Sequence, residues 1–109
     1  MSNLAGLLDR LGSAVVQAVR SGEVGIVRSL RLHVGGPDGD LPAPGSLLAL
    51  GDAIFANPRS REAEAGGARL CVWEQGQIAT VSSASAPRPI VVLTVLGSEG
   101  ALHFRDQSP

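Results

Sequence analysis

The sequence contains no lysine: all nine of its basic residues are arginine, set against ten acidic ones. The net charge is −1, the arginines form no obvious basic stretch, and only 3% of residues are aromatic. Nucleic-acid binding therefore lacks its electrostatic footprint and its stacking platform, and no nucleic-acid partner is expected. The single cysteine, Cys71, excludes an intramolecular disulfide and fits a reducing compartment. The opening residues, MSNLAGLLDRLGSAVVQAVRSGE, lack the basic stretch of a signal peptide, and Asp9 and Arg10 interrupt their apolar character. No apolar run has the length of a transmembrane segment. These absences predict a cytoplasmic chain. Charge is also scarce: 17% of residues against about a quarter in typical domains. A thin charge shell leaves apolar surface, which favours a homo-oligomer or a protein partner.

What is present is aliphatic. Apolar residues make up 44% of 109 residues, enough for the core of a single small domain spanning 1–109. Residues 3–20 carry helical period: Leu4, Leu7, Leu8, Leu11, Val15, Ala18 and Val19 fall on one stripe, with Asp9, Arg10, Ser13 and Gln17 elsewhere. Ser2 or Asn3 can cap the start and Gly22 can end it. Gly6 and Gly12 each weaken the helix by about 1 kcal/mol relative to alanine, so the stripe must dock.

From residue 23 the period changes to two, opening a β-rich body over 23–105. In EVGIVRSLRLHV, residues 23–34, Val24, Ile26, Leu30, Leu32 and Val34 point one way, with Val27, Ser29, Arg31 and His33 opposite; Arg28 breaks the row as a bulge would. Residues 35–45 and 57–67 read as flexible loops by composition. In LLALGDAIFA, residues 47–56, a Gly-Asp turn between two short strands is favoured over one helix, because Gly51 and Asp52 suit a tight turn. ARLCVWEQGQIATVSS reads as two strands about Gln75-Gly76, with Leu70 and Val72 on one face and Cys71 and Trp73 on the other. PIVVLTVL, apolar without alternation, predicts a central strand covered on both faces. ALHFRD alternates, with Leu102 and Phe104 inward. The expected fold is α+β: an N-terminal amphipathic helix packed on a mostly antiparallel, bent or partly closed sheet of about six or seven short strands.

Residues 46–85 resemble a FecR-type β domain. Gly51-Asp52 stands at that pattern's first turn, Ala53, Ile54 and Phe55 follow, and Glu74-Gln75-Gly76 occupy the second. The charged break at 57–67 and the N-terminal helix depart from the pattern. The resemblance implies a protein-interaction domain rather than an enzyme.

Chemistry-bearing residues are few. His33 and His103 fall on the polar faces of their strands; with Cys71 they define the alternative of a small-ligand or metal-binding module. The Cys/His spacing of a structural zinc site is absent. Asp38 and Asp40 lie in a glycine-rich loop without the longer array of a calcium-binding loop. GGPDG fits neither phosphate-binding glycine pattern. No catalytic constellation, metal site or cofactor site is read from the residues. The function expected is therefore a non-enzymatic protein–protein interaction, or a self-assembling structural or accessory subunit of a bacterial complex. Its candidate interface residues are Leu4, Leu8, Leu11 and Val15 on the helix and Trp73 on the sheet.

Overall fold

The computed structural model describes residues 4–107. Helix α1 spans Leu4–Arg20, and it turns Leu4, Leu7, Leu11 and Val15 inward, as their spacing requires. It ends where Gly22 takes a φ of 80° and donates its N–H to the Val19 carbonyl at 3.1 Å. The capping residues expected at 2 and 3 lie outside the described residues.

Strand β1, Val27–Gly36, follows. After a short 3-10 turn at Asp38–Asp40 come helices α2, Pro44–Leu47, and α3, Ala49–Phe55. Five strands complete the chain: β2 Arg59–Ala65, β3 Ala68–Trp73, β4 Ile78–Ser85, β5 Ile90–Gly97 and β6 Gly100–Gln107. They form one open six-stranded sheet in the order β2-β3-β4-β1-β5-β6. Every neighbouring pair is antiparallel except β1 and β4, which run parallel. That pair needs a long crossover, and residues 37–77 supply it with two helices and a hairpin.

All three helices lie on one side of the sheet: α1 over β5 and β6 and beside α3, α2 over β3 and β4, α3 over β1. The core is sandwiched there, from Leu30, Leu32, Val34, Val81, Val91, Leu93 and Val95 of the sheet and the inward stripe of α1. The α+β expectation, with its N-terminal helix on a mostly antiparallel sheet, holds. No helix among the described residues is long and apolar enough to cross a membrane.

Four local expectations are corrected. Gly51-Asp52 is not a turn but the middle of α3, for a packing reason given below. Residues 59–65, read as loop, form edge strand β2, because their charged side chains need cover on neither face. Strand β5 is not covered on both faces: Val91, Leu93 and Val95 are buried while Leu96 is 49% exposed. In β1, Val27 is buried and Ile26 is 69% exposed, the reverse of the expected facing, because the register shifts between Val27 and Ser29. Arg28 does mark that irregularity.

Candidate functional site

Trp73 organises the corner where α3 meets the sheet. Its indole is buried, 1% exposed, and lies directly against Gly51: a Cβ there would stand 2.5 Å from Cη2 and 2.7 Å from Cζ2. Only glycine lets the helix approach so closely. Phe55, one turn on, meets the indole edge-on, ring centroids 4.7 Å apart. Asp52 accepts the indole Nε1–H at 3.1 Å and two hydrogen bonds from Arg59, Nε at 3.0 Å and Nη2 at 2.6 Å. The Arg59 hydrogen bonds hold the Asp52 carboxyl below its usual range; partial burial opposes them and the Trp73 N–H assists. Arg59 also donates to Glu62 at 3.0 Å, and Arg69 reaches Glu64 at 2.9 Å. Asn57 joins Phe55, Gln75 and Gln77 in a further set of hydrogen bonds. No buried side-chain nitrogen or oxygen lacks a partner among the described residues. This corner is a fully satisfied frame.

The frame fixes α3 at a distance from α1, and a groove of about 360 Å³ opens between them. That volume is in the range of small-molecule sites. Leu32 of β1 floors it, Leu8, Asp9 and Gly12 of α1 form one wall, and Ser46 and Leu50 belong to the other. Gly12 faces the other wall closely: a Cβ there would stand in ordinary contact with Leu50 Cδ1, at 3.8 Å. Two polar groups interrupt the apolar lining. The exposed Asp9 carboxylate has no ion pair among the described residues, since its neighbour Arg10 turns away to Asp106. The Ser46 hydroxyl donates to the Ala43 carbonyl at 2.7 Å and keeps its lone pairs for a donor. The chemical capacity is that of apolar walls with one carboxylate free of ion pairs and one acceptor hydroxyl, a lining that can take hydrogen-bond donors on an otherwise apolar body.

The residues singled out from the sequence lie elsewhere. Leu4, Leu11, Val15 and Trp73 are spent in the core, and Leu8 is half-buried in the groove wall. Cys71 is buried on the helix-covered face, its thiol pushed up by burial and then by the charge of Glu62. His33 and His103 lie on the opposite, open face. They sit two strands apart, about 10 Å across the sheet, each with Nδ1 on a neighbouring hydroxyl: Ser82 at 2.8 Å and Thr94 at 2.9 Å. The sheet itself separates Cys71 from both histidines, so the three-residue ligand site is corrected. No group of three or more His, Cys, Asp or Glu among the described residues is placed to hold a metal ion. Of the groove residues, sequence reasoning singled out Leu8, on the apolar stripe of α1 and as a candidate interface residue. It missed Asp9, Gly12, Ser46 and Leu50, whose only signal was adjacency to that stripe and to a segment read as strand.

No protein-family model and no curated protein matches the sequence. Solved structures do share the fold. A putative myo-inositol dehydrogenase from Sinorhizobium meliloti superposes with a TM-score of 0.67 at 15% identity, over 90% of this chain and 39% of its own. Scyllo-inositol dehydrogenase from Lactobacillus casei, with bound NAD(H) and scyllo-inositol, gives 0.65 at 13% identity, over 91% and 40%. GenD2 from gentamicin A biosynthesis, in complex with NAD, gives 0.62 at 19%, over 86% and 36%. The chain thus spans well under half the length of the proteins whose fold it shares. These likenesses correct the expectation of a non-enzymatic interaction or self-assembling subunit: this sheet with its helices is an arrangement found within oxidoreductases.

Proposed function

We propose that the chain serves as the substrate-side part of a dehydrogenase-type oxidoreductase, holding a hydroxylated small molecule in the groove between α1 and α3. The observation that carries this reading is the agreement of fold with dehydrogenases over 85–91% of the chain. The groove adds chemical support. A ring polyol offers C–H faces to Leu8 and Leu50, and hydroxyls that donate to Asp9 and Ser46.

The residues present do not fit a nicotinamide dinucleotide. Such a cofactor is held where a strand leads through a glycine-rich turn into a helix whose N-terminus faces the pyrophosphate. Here β1 ends at Gly35-Gly36, but Pro37 and a single 3-10 turn follow, and no G-x-G-x-x-G occurs in the sequence. In this reading the cofactor belongs to a nucleotide-binding unit beside which the chain works. The location of the two in this reading is cytoplasmic, which a chain with a single, unpaired cysteine fits.

Titration of isotopically labelled protein with scyllo-inositol, followed by backbone amide NMR, tests the reading. Saturable shifts confined to residues 8–12 and 46–50 are expected, with a Kd of roughly 1 mM, or about −4 kcal/mol. NAD+ alone is expected to shift neither segment. Leu50→Trp, which fills the groove, abolishes the response. Shifts that do not saturate, or that survive Leu50→Trp, contradict the proposal.

A further inference from the structure

The open face of the sheet carries a separate signal, independent of the groove. The strand register aligns its outward residues in rows. One row runs Ala63, Leu70, Thr80, Arg31, Thr94, His103. A second places Ser82, His33, Val92 and Arg105 side by side, and a third Arg61, Val72, Ile78, Ser29, Leu96 and Ala101. Arginines thus stand at three stations, Arg61 towards one edge, Arg31 at the centre and Arg105 at the other edge, roughly 14 Å and 10 Å apart by strand spacing. Two histidines lie among them. These rows contain no aspartate or glutamate.

The ion pairs among the described residues lie away from these rows. Arg10, Arg59 and Arg69 pair with Asp106, Asp52, Glu62 and Glu64, and all these partners lie on the helix-covered side or its rim. Arg31, Arg61 and Arg105 have no ion pair among the described residues. Beyond the polar neighbours of Arg31 the face carries exposed aliphatic side chains: Leu70, Ile78 and Leu96 are 40%, 41% and 49% exposed, and a shallow depression of about 310 Å³ lies between Ile78, Thr80, Thr94 and Leu96. A chain with a net charge of −1 thus places three of its six arginines without an ion pair among the described residues, together with exposed aliphatic side chains and no carboxylate in these rows, on one uncovered face.

We infer that this face docks an acidic protein surface, one whose carboxylates are interleaved with aliphatic side chains. Carboxylates would pair with Arg31, Arg61 and Arg105 while the aliphatic groups cover Leu70, Ile78 and Leu96. A second copy of the chain fits less well. Two such faces brought together would oppose cation to cation and bury Arg31 without a carboxylate from either side. Single-stranded nucleic acid fits less well too: Phe55, Trp73 and Phe104 all belong to the helix-covered side, so no large aromatic platform faces outward there for base stacking.

Fluorescence anisotropy with a labelled peptide of alternating glutamate and leucine tests the inference, beside a lysine–leucine peptide and a single-stranded oligonucleotide. The acidic peptide is expected to bind with a Kd of about 100 µM or tighter, and to weaken at least tenfold between roughly 50 and 500 mM salt. Arg31→Glu and Arg105→Glu, both at exposed positions, are each expected to weaken it at least tenfold with unchanged thermal unfolding. Leu96→Ala, which removes no charge, supplies a second variant and weakens it less. Absence of saturable binding overturns the proposal, as does equal binding by the lysine–leucine peptide or the oligonucleotide. So does a dimer in light scattering that Leu96→Glu dissociates, since a second copy would then be the occupant.

Discussion

Gly51 stands where a turn was expected, and the residue type has the opposite meaning. Its missing Cβ makes room for an indole 22 positions along, inside a helix that glycine otherwise weakens. Gly51→Ala gains helix propensity but drives a methyl group into Trp73; overpacking of this kind costs about 1–3 kcal/mol. Chemical denaturation should show a net loss, and Trp73 fluorescence should shift. Asp52 beside it carries a pH signature. Its native pKa is depressed by Arg59, so its ionised form stabilises the fold above the unfolded carboxyl's pKa. That contribution is lost as pH falls through the depressed native value. The stability difference between the protein and Asp52→Asn should be constant from neutral pH to about pH 5 and shrink below about pH 4. Asp52 is 45% exposed, so the ion pair itself contributes no more than about 1 kcal/mol at neutral pH. A difference that instead grows on acidification would contradict the assignment.

The N-terminal helix illustrates what a sequence declares about an element. Its stripe was legible because Leu4, Leu7, Leu11 and Val15 repeat at helical spacing and all four are buried. The paired strands about Gln75-Gly76 were legible for the same kind of reason, alternation bounded by a turn residue. Residues 49–55 were not, because their apolar side chains occur nearly all round and the deciding contact, Trp73 on Gly51, is long-range. Strand β2 was hidden because edge strands carry charge as loops do. Two glycines in α1 now differ in meaning. Gly6 is exposed with no heavy atom near its missing Cβ, whereas Gly12 faces Leu50 across the groove. Gly6→Ala should raise stability by about 0.5–1 kcal/mol and leave polyol binding unchanged. Gly12→Ala should give a similar gain in stability and weaken binding by narrowing the groove. Equal binding by the two variants would remove the groove from the account.

Across the whole molecule, the parallel pairing of β1 with β4 decides the architecture, and no local pattern encodes it. It depends on the crossover through residues 37–77 returning to the same end of the sheet, beside a strand far away in sequence. The candidate site was illegible on the same ground: Asp9 and Ser46 converge only after α3 has been set on the sheet by Trp73. Charge tells the same story at larger scale. The nine arginines form no obvious stretch in sequence, yet the fold sets three ion-paired ones on the helix side or its rim and lines up unpaired Arg31, Arg61 and Arg105 on the open face. The most direct test of the central claim is a crystal structure of the protein grown with scyllo-inositol in large excess. The account predicts the ring between α1 and α3, with hydroxyls on the Asp9 carboxylate and the Ser46 Oγ. An empty groove, or a ring bound on the open face of the sheet instead, would contradict it.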